Sequence, residues 1–218
     1  STSGGDPVKL ADEPAFVPRW WVDRTTLDTF VVYTTSAVLN SSVSWETDQT
    51  RRMRWTGGAF SGSPVVVEAS GSYHGGLSAD STYIATGYEY LRMKNRATGD
   101  VRTLFTGPYN GKPAGDTSQV CNVSISPDSS VTDRVLFLDF GYNGVSTLVG
   151  GSYGIHECLF MAEYSRNVLR WYQCPPEVQN WDHPEWSNAY AYAVASGAVA
   201  GEHPMLYVVN LQDSVYTK

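Results

Sequence analysis

Short stretches of alternating apolar and polar residues recur along the whole chain, most of them bounded by Gly, Pro, Asn, Asp or Ser. Side chains on a strand point alternately to its two faces, so this pattern predicts half-buried strands separated by turns. No segment sustains a helical period. Residues 157–164 come nearest, but the neighbouring 168–172 alternate, and the pair reads as a hairpin.

One unit recurs four times. A polar lead runs into an apolar residue, a small residue and a turn, and then into a second alternating strand. The copies are Pro18-Arg19-Trp20-Trp21-Val22-Asp23, Gly75-Gly76-Leu77-Ser78-Ala79-Asp80, Val123-Ser124-Ile125-Ser126-Pro127-Asp128 and Pro184-Glu185-Trp186-Ser187-Asn188. Their second strands are predicted at 30–33, 83–87, 135–139 and 191–195. Ser-Ala-Asp and Ser-Pro-Asp are turn formers, because Pro presets φ and Asp bonds its own backbone. Further strands are predicted at 44–47 and 64–68, at 88–93 and 100–105, at 156–164 and 168–174, and at 205–211. About four strands per unit at a period near 50 residues is the signature of propeller blades.

The expected fold class is therefore all-β: a β-propeller, or part of one, of about four four-stranded blades. The blades fall at approximately 14–70, 71–107, 116–175 and 181–218, in a single domain over 8–218 that follows a linker or tag at 1–7. Residues 8–12 predict the outer strand of a preceding blade, which could pair with the last blade and fasten the ring. The alternative is that the blades belong to a larger ring. Polar residues 40–54 and the turn-rich 107–117 read as insertions, the second long enough to cross one end of the propeller.

Aligning the copies gives columns. Trp20, Leu77, Ile125 and Trp186 form the apolar side of the inner strand. Residues one before (Arg19, Gly76, Ser124, Glu185) and three before (Val17, His74, Asn122, His183) share the opposite face. An inner strand lines the central channel, so Arg19, His74, Asn122, His183 and Glu185 are expected to converge near the axis. They would form either a wet structural wall or a polar pocket for a ligand, water network or ion.

Composition narrows the function classes. Among 218 residues, 42% are hydrophobic, enough for a sizeable core, and 13% are aromatic. A net charge of -7 disfavours nucleic acid and anionic membrane surfaces as partners. The one tight basic cluster, Arg51, Arg52 and Arg54, reads as a solvated hairpin tip. No apolar run approaches the roughly 20 residues that span a bilayer. The chain opens on Ser1 without a leader, as an excised piece of a longer product would. The three cysteines lack zinc-site spacing. Cys158 and Cys174 could bridge neighbouring strands if the register allows, and Cys121 reads as a buried free thiol. Asn40-Ser41-Ser42 and Asn122-Val123-Ser124 fit a glycosylation pattern that often matches by chance.

The phrases 14–20, Ser126-Pro127-Asp128 and His183-Pro184-Glu185-Trp186-Ser187 resemble the TolB-like, WD-like propeller repeat, in which an inner strand ends in a Trp-Ser-Pro-Asp-Gly type of turn. Here the Gly after Asp is missing throughout, Val22 replaces Pro in the first copy, and Asn188 stands in the fourth. Such repeats usually close with six or seven blades. Some relatives that cleave uronates hold an axial metal through histidines. The phrases 73–78 and 116–128 also resemble a paralogous family of large secreted lipoproteins from Fibrobacter. That resemblance implies a secreted, periplasmic or cell-surface setting, and other domains of a longer chain.

Three functions remain open. The first is a secreted non-catalytic binding module for a plant polysaccharide or another extracellular ligand, such as a cell-envelope protein. Its candidate residues are Arg19, His74, Asn122, His183 and Glu185 at the axis, together with Trp181, Trp55 and Tyr109 among the turn aromatics that could stack on a sugar. Trp20, Trp186 and Trp171 are expected to pack between blades instead. The second is a metal-assisted polysaccharide lyase or a glycosidase, with zinc or manganese on His74, His183 and Glu185. Carboxylate pairs drawn from Asp116, Asp182 and Glu185 read rather as turn or rim residues, and no Gly-x-Ser-x-Gly elbow is present. The third is a structural or assembly module whose blades pack on partner domains.

Overall fold

The computed structural model describes residues 8–35, 48–71, 75–87, 91–105, 120–139, 154–187, 191–213 and 215–217. Four four-stranded antiparallel sheets are arranged as a four-bladed β-propeller. Blade 1 is β1 (Phe16–Val22), β2 (Thr29–Thr34), β3 (Thr50–Thr56) and β4 (Ala59–Glu68). Blade 2 is β5 (Gly76–Leu77), β6 (Tyr83–Gly87), β7 (Leu91–Asn95) and β8 (Val101–Phe105). Blade 3 is β9 (Val120–Ile125), β10 (Arg134–Asp139), β11 (Cys158–Glu163) and β12 (Arg166–Gln173). Blade 4 is β13 (Val178–Trp186), β14 (Tyr192–Val199), β15 (Met205–Asn210) and β16 (Val215–Thr217). Each sheet is a meander in which sequence order equals spatial order.

The turns after the inner strands form as the repeated Asp requires. The Asp23 carboxylate accepts from the Thr25 and Thr26 N–H groups, Asp80 from Thr82 N–H, and Asp128 from Ser130 N–H. Ser78 and Ser126 close their hairpins by donating N–H to Tyr83 O and Arg134 O. In blade 1, Gly57 and Gly58 at φ 60° and 85° make the tight link between β3 and β4 that two left-handed residues allow.

The core lies in the seams between blades. Trp21, Phe30 and Val32 of blade 1 pack on Leu77 of blade 2. Ala85, Leu91 and Met93 of blade 2 meet Ile125, Val135, Phe137 and Phe160 of blade 3. On the other face of blade 3, Leu136, Leu138 and Leu159 meet Trp181, Trp186, Ala193 and Tyr207 of blade 4. Among the described residues no such cluster spans blades 4 and 1.

Four expectations are corrected. The third strand of blade 1 runs from Thr50 to Thr56, whereas the expected 44–47 lies outside the described residues. Arg51, Arg52 and Arg54 are consequently strand residues and not a solvated tip. The Arg52 guanidinium sits 4.3 Å from the Phe30 ring centroid, and Arg51 pairs with Glu13. Residues 8–12 form no strand; they lie with Glu13 along the outer part of blade 1, where Glu13 accepts from Tyr33 Oη at 2.7 Å. Trp20 and Trp171 are exposed and not packed between blades. The expected end-crossing insertion, Tyr109 and Asp116 lie outside the described residues.

All three thiols are free. Cys158 stands opposite Gln173 in the β11–β12 ladder. Alternation therefore turns Cys174 to the opposite face, with Cys158 in the core toward blade 2 and Cys174 in the core toward blade 4. Burial pushes the Cys158 thiol up to about 12 and raises Cys121 and Cys174 as well. We expect no reaction of native protein with a thiol reagent at mildly alkaline pH, and three equivalents to react in denaturant without added reductant; a thiol count checks both.

A second prediction concerns the turns. Burial raises the Asp80 carboxyl, but bonds from Thr82, Ser78 and Thr132 outweigh it and hold the group below its ordinary value. A depressed folded pKa gives stability that is present above the unfolded value of about 3.9 and is lost as pH falls through the folded one. Exposure of the carboxylate to solvent discounts its bonds, so Asp80→Ala should cost about 1 kcal/mol at neutral pH, and the gap to wild type should narrow below about pH 4. Urea midpoints at the two pH values read it.

Candidate functional site

The axial site depends on an irregularity that recurs in three inner strands. In β1 the pairing slips between Phe16 and Arg19, in β9 between Cys121 and Ser124, and in β13 between Asp182 and Glu185. Each slip is a β-bulge with two residues opposing one. The first bulged residue is left-handed in all three: Val17 at φ 49°, Asn122 at 51° and His183 at 46°. The bulges fall at one position of the repeat, three residues before the apolar column. They turn Arg19, Ser124 and Glu185 together toward the axis.

These three side chains form a knot across the channel. Arg19 Nη1 is ion-paired with Glu185 Oε2 and lies 3.5 Å from Ser124 Oγ, while Nη2 donates to Val123 O at 3.0 Å. Ser124 Oγ donates to Glu185 Oε2 at 2.8 Å and accepts from Trp186 N–H at 3.3 Å. Blade 2 contributes Gly76 to the same column. Its φ is +74°, and a Cβ there would stand 3.1 Å from Arg19 Cδ, so glycine both takes the turn and lets the arginine pass.

The knot separates two clefts. On the turn side lies one of about 400 Å³, lined by Trp20, Trp21 and Trp186, by Arg24, by Pro127, and by Arg19 with Glu185 at its floor. Arg24 Nη2 donates to Pro127 O at 2.9 Å and so spans the mouth from blade 1 to blade 3. On the other side Val17, Pro18, Arg19, Asn122, His183 and Glu185 line a cleft of about 300 Å³.

The structure thus brings together Arg19, Asn122, His183 and Glu185 of the expected axial set; His74 lies outside the described residues. Asn122 Nδ2 donates to Asp182 Oδ1 at 2.5 Å. His183 is exposed, with Nε2 3.4 Å from Asp182 Oδ2. The carboxylate of Glu185 is occupied by Arg19 and Ser124, and among the described residues no three metal donors converge. Trp181 is a correction: it is fully buried against blade 3, with Nε1 donating to Tyr172 O, and offers no ring to a ligand. Trp55 sits edge-on between Trp20 and Phe60 on the open face of blade 1. The sequence reading missed Arg24 and Asp182 as partners across the axis. Nearby, Cys121 Sγ lies 3.2 Å from His156 Nε2. Burial raises the thiol and lowers the imidazole, so at neutral pH this is a neutral pair with no nucleophilic thiolate.

No protein-family model matches the chain, and no curated protein matches it in sequence. Solved structures do match in fold. TolB from Acinetobacter baumannii superposes with a TM-score of 0.52 at 8% identity, over 94% of this chain and 43% of that one. An oligogalacturonate lyase from Vibrio parahaemolyticus gives 0.46 at 10% identity, over 95% and 61%. A puromycin hydrolase gives 0.46 at 10%, over 91% and 27%. The likeness to TolB is one of fold: the chain is built as a TolB-like β-propeller and spans less than half of TolB's length.

Glu185→Ala should leave the guanidinium of Arg19 without its counter-charge. Half-exposure of the carboxylate discounts the effect to about 1–2 kcal/mol. The double variant Arg19→Met with Glu185→Ala should recover part of that loss, because no charge is then stranded; a double-mutant cycle of urea midpoints measures it.

Proposed function

We propose that this chain is a non-catalytic propeller module that binds an extracellular saccharide in the turn-side cleft at its axis. The observation that carries the reading is the cleft itself: the exposed indole of Trp20, with the largely buried Trp21 and Trp186 beside it, above a floor of mutually paired polar groups. A sugar ring presents apolar C–H faces and a rim of hydroxyls. Apolar walls with a few fixed donors and acceptors suit it. The ion pair supports binding over bond cleavage, since the Glu185 carboxylate is already engaged by Arg19 and Ser124.

The resemblance of residues 73–78 and 116–128 to the Fibrobacter lipoproteins is what points this reading to a secreted or cell-surface setting and to a plant polysaccharide as the source of the sugar. In this reading Arg24 closes the mouth over the ligand and donates to it, while Asn122 and His183 line the opposite cleft and contribute little.

Retention on insoluble cellulose or xylan above that of a control protein is the expected result, with titration of soluble oligosaccharides giving the affinity. Arg24→Ala should weaken that affinity about tenfold, the worth of one hydrogen bond from a charged donor. His183→Ala should leave it within about twofold, below the worth of one ordinary hydrogen bond. Retention no better than the control on every glycan would end the saccharide reading.

A further inference from the structure

A third cleft, of about 580 Å³, lies away from the axis on blade 1. One wall is the segment before β1, from Lys9 to Glu13. The other is sheet: Arg51, Met53, Gly62, Ser63 and Pro64. Strand partners fix which face this is. Tyr33 stands opposite Arg51, and Val31 opposite Met53, so these four share the face of blade 1 turned away from Phe30, Val32 and blade 2. In blades 2, 3 and 4 the same face is covered by the blade before it. In blade 1 a short piece of irregular chain takes that place.

The hold of this piece is narrow. Glu13 accepts from Tyr33 Oη at 2.7 Å and is ion-paired with Arg51, whose Nε and Nη2 donate to Gln49 Oε1 at 3.1 and 2.8 Å. Burial, and after it the Glu13 carboxylate, raise the Tyr33 phenol, so it stays a donor across the neutral range. Among the described residues no other side-chain bond and no backbone bond ties 8–13 to the sheet; Lys9 and Asp12 pair with each other in solvent. Leu10 and Ala11 line the cleft and belong to no core cluster. Tyr33, where the segment is held, is 1% exposed, whereas Val66, opposite Arg51 but outside the cleft, is 48% exposed.

We propose that residues 8–13 are a releasable strap over this face, with Glu13 as its catch. The strap exchanges between a docked state and one in which it swings out on Pro14-Ala15, the link to β1, while all four blades stay folded. Release strands nothing. Tyr33 Oη and the Arg51 guanidinium pass from one carboxylate to water, so the two states differ by a bond-for-bond exchange and a small apolar area. About a quarter of the Glu13 and Arg51 side chains is already exposed, so water and salt reach the pair. Release uncovers Tyr33 and Met53. It turns a covered sheet face into a bare one, at a place that shares no lining residue with the axial clefts.

Two spin labels report the strap, one at Val8→Cys within it and one at Ala97→Cys in the β7–β8 turn. Both positions are exposed, in a chain whose own thiols burial keeps protonated. Dipolar distances in the full chain should show one narrow docked population and a broad released one below about one-tenth. Glu13→Ala should raise the ratio of released to docked about tenfold, the worth of a charge-assisted bond discounted for exposure. Tyr33→Phe keeps the ring and loses the donor, and should raise it about threefold. Salt at about 1 M should raise the ratio in wild type and leave it unchanged in Glu13→Gln, which keeps an acceptor for Tyr33 and has no charge to screen. Circular dichroism and urea midpoints should match wild type throughout. A wild-type distribution that is broad alone overturns the proposal. So does a ratio that Glu13→Ala and Tyr33→Phe both leave unchanged, or release that appears only with loss of sheet signal. None of these positions lines the axial cleft, so glycan retention should be unchanged in every variant, and failure of one reading leaves the other standing.

Discussion

A sheet with apolar side chains on both faces is stable only between two neighbours, and each blade of this molecule is such a sheet. Roughly 25 cal/mol is gained per Å² of apolar surface removed from water, so an uncovered face forfeits several kcal/mol that the same residues would gain in a seam. The order of the blades, their spacing along the chain and the placement of the largest side chains follow from that need. Blade 3 meets it fully, with Phe137 and Phe160 turned to one neighbour and Leu136, Leu138 and Leu159 to the other. Blades 1 and 4 meet it on one side each. Three sealed seams hold the fold, and the fourth is tied at the axis by Arg19 and Glu185.

The parts of this arrangement that depend on local chemistry were legible in the amino-acid sequence. Alternation located β6, β8, β10 and β15 to within a residue or two, and the repeated Asp marked the turns that Asp23, Asp80 and Asp128 make. The apolar column was legible as a column. That Trp20 is its one exposed member was not, since exposure depends on whether a neighbouring blade is present. The third strand of blade 1 was misplaced because three arginines in seven residues look solvated. The signal that would have placed it is Thr56-Gly57-Gly58-Ala59, whose paired glycines require a tight hairpin with β3 on one side.

The axial site was half legible. Strand parity grouped Arg19 with Glu185 and Asn122 with His183, and the structure places all four along the channel. Parity could not show the bulge that separates the two pairs, because a left-handed valine, asparagine and histidine share no side-chain signature. Nor could it show that Trp181, two residues before His183, points into the core between blades 3 and 4. Long-range partners such as Asn122 with Asp182 and Arg24 with Pro127 join blades that are far apart in sequence, and no local pattern encodes them.

The recurring bulge has a consequence for how the channel can change. An inserted residue is a phase slip: downstream of it the strand is read in one frame, upstream in the other. Because the slip falls at the same height in three of the four staves, the two mouths of the channel are written in separate frames, divided by the Arg19–Glu185 floor. A residue exchanged at one mouth need not disturb the apolar column that serves the other. Each end of the channel can therefore change its lining while the seams stay sealed.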